Sequence, residues 1–339
     1  MTVLIVTHSE DNECVERVTE ALARRGERAF RFDTDRYPGE VSLSARVGQG
    51  SSSLESDGER LELGTLRAVW HRRLRTGTRI PLSLEPQVRA ASVEESRRVV
   101  NGVLASLTCF VLDPWARIRL AESKQLQLEL ARGAGLDVPR TLVTNDPAAV
   151  REFWETCDGR VMAKMMASFA IQEDGHEKVV FTNPISPADL ETLEGLRLCP
   201  MTFQERLEKA LELRVTVVGR RVFTAAIDSN ALERARTDWR REGLALLESW
   251  KPWALPPEVE RRLLALMDTL GLNYGAADFV VTPDGRCVFL EVNPAGEFFW
   301  LERLEGFPIS EALADVLLDR VPRREPALLT DDPRRESVR

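Results

Sequence analysis

The chain has 339 residues, of which 43% are hydrophobic, and contains no apolar run of the roughly 18 residues that a membrane helix needs, so two or three core-bearing modules and no membrane span are expected. A net charge of −8 and a pI near 5.3 argue against a nucleic-acid partner, because phosphate binding needs an excess of basic residues on one face. Five scattered cysteines without a C-x-x-C and three histidines suggest neither a disulfide framework nor a zinc site.

The amino terminus, MTVLIVTHSEDNE, has no basic n-region and no cleavage-like site, as expected of a cytoplasmic protein. Residues 2–7 read as a short apolar strand. A helix capped by Ser9 or Asp11 follows to about Arg25, Gly26 ends it, and 28–32 form the next strand. No glycine follows the first strand, so the pyrophosphate turn of a dinucleotide-binding fold is missing, and the module reads as Rossmann-like without itself holding a nucleotide. Residues 39–64, with GQGSSS and SDGER, read as its loosest segment. Strand character returns at 66–74, a helix is expected over 87–107, and CFVLDP (109–114) reads as a buried strand halted by Pro114. Within VWHRR, Trp70 among His71, Arg72 and Arg73 is either an anion site facing a cleft or a strand end with one buried and one solvated side.

Residues 117–135 carry a helical pattern ending at Gly133-Ala134-Gly135. Asp146 and Pro147 start another helix, to about Cys157, as N-cap and N1. In VMAKMM (161–166), Lys164 sits among apolar neighbours. A lysine there is costly to bury without an anionic partner, which points to a phosphate or nucleobase contact. ASFAIQEDGHE (167–177) reads first as a hairpin loop before a strand at 178–182, then a short acidic helix near 187–195. Residues 201–227 supply three strands with a turn at Gly219, and 228–254 are loop-rich. Helices are expected at 257–270 and 309–319, and 322–339, rich in proline and charge, reads as a disordered tail.

Between those last helices, GAADFVVTPDGRCVFLEVNPAG (275–296) reads as a hairpin about Pro283-Asp284-Gly285. A two-residue loop pairs Pro283 with Arg286 and a four-residue loop pairs Thr282 with Cys287; both place Asp278 opposite Glu291, with Asn293 on the same face. Opposed like charges destabilise a sheet, and an amide oxygen stands beside them, so the trio asks for a cation, and oxygen-only ligation suits magnesium. Removing one charge is therefore expected to leave the metal-free protein intact or slightly stabilised. Two alternatives stay open: an arginine from elsewhere pairs with one acid, or a three-residue loop shifts the register and separates them. The small corner Ala295-Gly296 would let a ligand approach the backbone closely.

An Asp on one strand and Glu-x-Asn-Pro at the end of the next resembles the magnesium site of ATP-grasp ligases. The ordered set VWHRR, SKQLQLELA, AKMM, FQE, ELRVTVVG, DWR and EVNPAGEFFWLE, spread over residues 3–320, most resembles the microviridin-type (graspetide) peptide maturases of that family. The resemblance implies an α/β fold of α+β type: an N-terminal Rossmann-like pre-ATP-grasp domain (1–115), a central ATP-grasp subdomain (116–200) and a C-terminal one (201–321), with the nucleotide held between two antiparallel sheets. It implies ATP and Mg2+ as cofactors, with Asp278, Glu291 and Asn293 holding the ions. Lys124 and Lys164 would meet the nucleotide, Gln204, Glu205, Arg206 and Leu207 would form the adenine hinge, and Glu212 would accept the ribose hydroxyls or a metal. Arg214 would face the transferring phosphoryl group and the substrate carboxylate, Arg240 of Asp-Trp-Arg would hold the acceptor carboxylate, and the 167–177 loop would serve as a lid.

Such enzymes activate an aspartate or glutamate of a ribosomal precursor peptide as an acyl phosphate and close an ester or amide ring, releasing ADP and phosphate. No motif marks the docking site for the precursor's leader segment, and a homodimer is carried as one option. Two other functions stay open: a carboxylate–amine ligase that adds amino acids to a protein tail or small acid, and a non-catalytic ATP-binding regulator. The intact acid and cation set argues against the regulator.

Overall fold

The computed structural model describes residues 2–11, 13–164, 170–173, 176–179, 183–228, 249–304 and 306–324. The chain opens as β1 (Thr2–Thr7), α1 (Glu13–Arg24) and β2 (Arg28–Asp33), then β3 (Ser42–Ser44), β4 (Ser53–Ser56), β5 (Glu59–Glu62), β6 (Leu66–His71), α2 (Pro86–Ala105) and β7 (Phe110–Leu112). β1, β2, β6 and β7 make a parallel sheet in the order β2-β1-β6-β7. The apolar run of β1 is explained by its central place, buried on both faces. Two expectations change here. Residues 39–64 hold an antiparallel meander, β3-β4-β5, because Leu54, Leu61 and Leu63 join the core against α2. β7 is an edge strand and only partly buried.

The expected helix over 117–135 is two helices, α3 (Trp115–Ala121) and α4 (Lys124–Gly133). They pack on the later helix Pro257–Leu270 and the sheet it covers, as Ala121, Ala131 and Leu136 share a core with Leu263, Leu266 and Met267. Next come β8 (Thr141–Thr144), α5 (Pro147–Thr156), β9 (Val161–Lys164), β10 (Ala170–Glu173), β11 (His176–Val179) and β12 (Asn183–Pro184). Asp146 caps α5, accepting from the Ala148 N–H at 2.9 Å. β10 and β11 pair antiparallel, Ala170 with Val179 through Glu173 with His176. The acidic helix expected at 187–195 is two short 3-10 turns, Asp189–Glu191 and Leu193–Arg197.

β13 (Met201–Glu205) completes a sheet in the order β12-β9-β13-β8, so the central sheet runs past the expected division at residue 200. The second antiparallel sheet has the order β16-β15-β14-β17-β18, from β14 (Leu211–Val218), β15 (Arg221–Ile227), β16 (Lys251–Pro252), then, after α6 (Pro257–Leu270), β17 (Tyr274–Val281) and β18 (Cys287–Asn293). One face, with Leu213, Val215, Phe279 and Phe289, packs on α6. The other is shared: Val218 and Tyr274 pack on α7 (Ile309–Leu317) and the N-terminal module, while Glu212, Arg214 and Asp278 lie nearer the opposite end. α7 is fastened to α1 by Arg25, which is 2.7 Å from Asp315 and bonded to Glu311.

The chain continues ordered past 322. Arg324 is buried; its N–H donates to Asn273 Oδ1 at 2.7 Å and its Nε to Asp268 at 2.6 Å, so the expected tail does not begin at 322. Residues 325–339 lie outside the described residues.

The β17–β18 hairpin reaches the expected pairing by an unexpected route. Its loop is the three-residue one: Thr282 N–H donates to Arg286 O at 3.0 Å, around Gly285 at φ 86°. Phe279 accordingly pairs with Phe289, one residue out of the register that would join Asp278 to Glu291. A bulge that leaves Leu290 unpaired then restores it, and Asp278 faces Glu291 while Ala276 faces Asn293.

Candidate functional site

An open cavity of about 100 Å³ lies between the two antiparallel sheets. Met162, Lys164, Gln204, Glu205, Arg206 and Leu207 line it from the central sheet and its exit, and Lys209, Glu212, Val280 and Leu290 from the second sheet and the segment leading into it. Lys164 Nζ donates to Gln204 Oε1, and Gln204 Nε2 donates to Thr141 Oγ1 at 3.0 Å, so the strand lysine finds its partner across the β9–β13 ladder. The Glu205 carboxylate is held by Arg140 at 3.0 and 3.2 Å, and this hydrogen bond lowers its pKa. The N–H groups of Glu205 and Arg206 donate to the carbonyls of Arg140 and Arg160. Glu212 is paired with Lys209 at 2.6 Å.

Beside this cavity runs a row of charges. Arg214, Asp278 and Glu291 are successive cross-strand partners on β14, β17 and β18. Arg214 Nη1 donates to Asp278 Oδ1 at 2.9 Å, and Lys124 Nζ, from the start of α4, is 2.9 Å from Glu291 Oε2. The order is cation, anion, anion, cation. The like-charge repulsion that seemed to demand an ion is thus already offset by the chain's own cations, and the alternative of an arginine partner for Asp278 is realised. Asn293 Oδ1 accepts from the Ala295 N–H at 2.9 Å, and an amide oxygen keeps a second lone pair. Two carboxylates and an amide oxygen on one half-open face are a donor set that fits magnesium. Arg214 Nε is buried without a hydrogen-bond partner among the described residues.

The corner after Asn293 is gripped from the N-terminal module. Arg72, buried, donates to the carbonyls of Ala295 and Gly296 and lies 2.7 Å from Glu297 and 3.5 Å from Asp11. Burial alone would lower its pKa, but Cys14, Asp11 and Glu297 hold it above its ordinary value. Arg73 meets the other oxygen of Glu297 at 2.7 Å. Trp70 is core, His71 Nδ1 meets the Asp113 carbonyl at 2.9 Å, and the two arginines of VWHRR are spent on the 295–297 corner rather than on a free anion. Gly296 serves packing: a Cβ there would lie 2.4 Å from Ala276 Cβ and 2.8 Å from Arg214 Nη2, so its smallness admits the chain's own neighbours rather than a ligand.

The tertiary structure therefore brings Lys124, Arg214, Asp278 and Glu291 into one row with Asn293 adjacent, and gathers Lys164, Gln204–Leu207 and Glu212 around one cavity. Arg240 lies outside the described residues, as do 165–169 and 174–175 of the expected lid and its flank. Sequence reasoning missed Lys209, Gln127, Glu297 and the clamp by Arg72. Gln127 had a signal, since it stands one helical turn after Lys124 and so on the same face.

Residues 2–119 match the family model of the MvdD pre-ATP grasp domain. The macrocyclase MdnC from Microcystis aeruginosa MRC, solved with its precursor peptide MdnA, is 46% identical, with a TM-score of 0.86, over 94% of this chain and 100% of that one. A RiPP-associated ATP-grasp ligase of Chryseobacterium gregarium, solved with ADP and a leader and core peptide, is 39% identical at a TM-score of 0.91 over 97% and 99%. The ATP-grasp ligase PsnB, solved with a phosphomimetic variant of its minimal precursor, Mg and ADP, is 27% identical at 0.74 over 94% and 99%. A search of curated proteins finds no match.

Proposed function

The chain belongs to the ATP-grasp ligases, in the branch of the microviridin-type peptide macrocyclases, and we propose that it closes rings in a ribosomal precursor peptide through side-chain acyl phosphates. The observation that carries this reading is the row Arg214, Asp278, Glu291 and Lys124 beside a cavity built by two sheets.

The nucleotide would lie between the sheets, its adenine at Arg206 and Leu207 and its ribose at Glu212. Supporting this, the Gln204 side chain and the Glu205 carboxylate are already engaged within the chain. Lys209 would release Glu212 to the ribose hydroxyls. Lys164 and Lys124 would meet the phosphates. Asp278, Glu291 and Asn293 would hold magnesium, which when bound neutralises charge on the transferring phosphoryl group. A peptide carboxylate oxygen attacks the γ-phosphorus, the bond to the β,γ-bridging oxygen breaks, and ADP leaves. Arg214, already oriented by Asp278 and the Glu297 carbonyl, would stabilise the anionic oxygens of that transfer. A hydroxyl or amine of the same peptide then attacks the carbonyl carbon, losing its proton as phosphate departs. Arg240 would hold the acceptor carboxylate and the 167–177 segment would exclude water.

The test is incubation of the enzyme with ATP, magnesium and the cognate precursor. ADP, phosphate and the loss of one water per ring are expected. AMP with pyrophosphate would overturn the acyl-phosphate route, and the gain of an amino-acid residue would replace cyclisation by ligation.

A further inference from the structure

β18 is the outer strand of its sheet, so the backbone groups on its free side need partners. Toward the turn, the Phe289 N–H donates to the Asp137 carbonyl at 2.8 Å. In a regular strand the next group facing that side would belong to residue 291. Here it belongs to Val292, the displacement that the bulge at Leu290 produces. Val292 lies between Glu291 and Asn293, and its partner is a side chain. Gln127 Oε1 accepts from the Val292 N–H at 2.8 Å, while Gln127 Nε2 donates to the Val292 carbonyl at 2.8 Å and to the Ala121 carbonyl. Gln127 is 2% exposed, and its amide stands in for one residue of a neighbouring strand.

We propose that Gln127 is a positioning residue that locks the bulged phase of β18, and so sets the affinity of the ion site formed with Glu291 and Asn293. This rests on the reading of those two residues as ion ligands. Slippage by one residue would turn both to the opposite face, and register past a bulge has to be secured again. Lys124 and Gln127 share a face of α4; one reaches Glu291 and the other grips the following residue, so helix and strand are tied at two adjacent points.

The test is calorimetric titration of the ADP-loaded enzyme with magnesium. Gln127→Met, near in volume but unable to bond, is expected to bind magnesium about 10-fold or more weakly, the usual loss when support around a ligand is removed, with ADP affinity in chelator unchanged. Gln127→Glu supplies the second readout. As a carboxylic acid it keeps the acceptor for the Val292 N–H and one of the amide's two donors, enough to hold the Val292 carbonyl, whereas as a carboxylate it would face two carbonyl oxygens. Its magnesium affinity relative to wild type is therefore expected to be poor at pH 8 and to recover as pH falls, a recovery that Gln127→Met lacks. Wild-type magnesium affinity in folded Gln127→Met, or no pH-dependent recovery in Gln127→Glu, would overturn the proposal; if Gln127→Met does not fold, Gln127→Glu decides. Glu291→Gln is run alongside. Unchanged magnesium affinity in that variant overturns the ion-ligand reading itself, whereas weakening there with none in the Gln127 variants overturns only the positioning role.

Discussion

Replacing Asp278 by Asn tests which neighbour dominates that carboxylate. Opposite it on one side stands Glu291, and relieving a cross-strand like-charge pair returns roughly 0.2–1 kcal/mol. On the other side Arg214, 6% exposed, donates to it at 2.9 Å, and a hydrogen bond between charged groups contributes about 1.5–3 kcal/mol. Asn retains a neutral acceptor for Arg214, so the loss falls at the low end of that range, but the guanidinium is left buried with less compensation. The balance is a metal-free variant destabilised by about 1 kcal/mol, opposite in sign to what the facing acids alone suggest. Urea unfolding in chelator measures it. With magnesium and ADP each at about 100 times its dissociation constant, the wild type should gain roughly 2.7 kcal/mol from each ligand, and the variant should lose the magnesium share. A metal-free variant as stable as the wild type would refute the dominance of Arg214, and an undiminished magnesium gain would refute Asp278 as a ligand.

Lys164→Ala should weaken nucleotide binding by about 1.5–3 kcal/mol, roughly 10- to 150-fold, and unchanged affinity in a titration would remove that contact from the site. A pH prediction follows from two buried residues, Asp113 and the His71 whose ring meets the Asp113 backbone carbonyl. Burial lowers His71 from 6.5 to about 4, so its contribution is complete above pH 6.5 and is lost as pH falls toward 4. Asp113 is pushed up to about 6 by burial, despite hydrogen bonds from three donor groups of Asn273 and Tyr274, so its contribution is complete below 3.8 and is lost as pH rises through 6. The two slopes oppose one another between about pH 4 and 6. His71→Gln removes one of them, and its stability relative to wild type should improve by up to about 3 kcal/mol between pH 7 and 4 in urea unfolding. No change in that difference would mean that His71 is not held neutral.

The sequence by itself was enough for whatever depends on local periodicity and turn chemistry. β1, α1, β2, α5 and α6 lie close to where apolar spacing, Asp146-Pro147 and Gly271 put them, and the ordered motifs named the family because each is a short contiguous string. The hairpin was legible as a hairpin, but its register was reached through a loop length and a bulge that offset each other; neither leaves a mark in residue type, since Leu290 reads like any strand residue. Only the tertiary structure decided what stands beside each charge. Arg214 lies 64 residues from Asp278, Gln127 lies 165 from Val292 and Arg72 lies 223 from Ala295, and no periodicity reaches across such distances. Whether two facing acids repel or are held thus depends on strand order and helix docking, which arise from the packing of whole faces and not from any one segment.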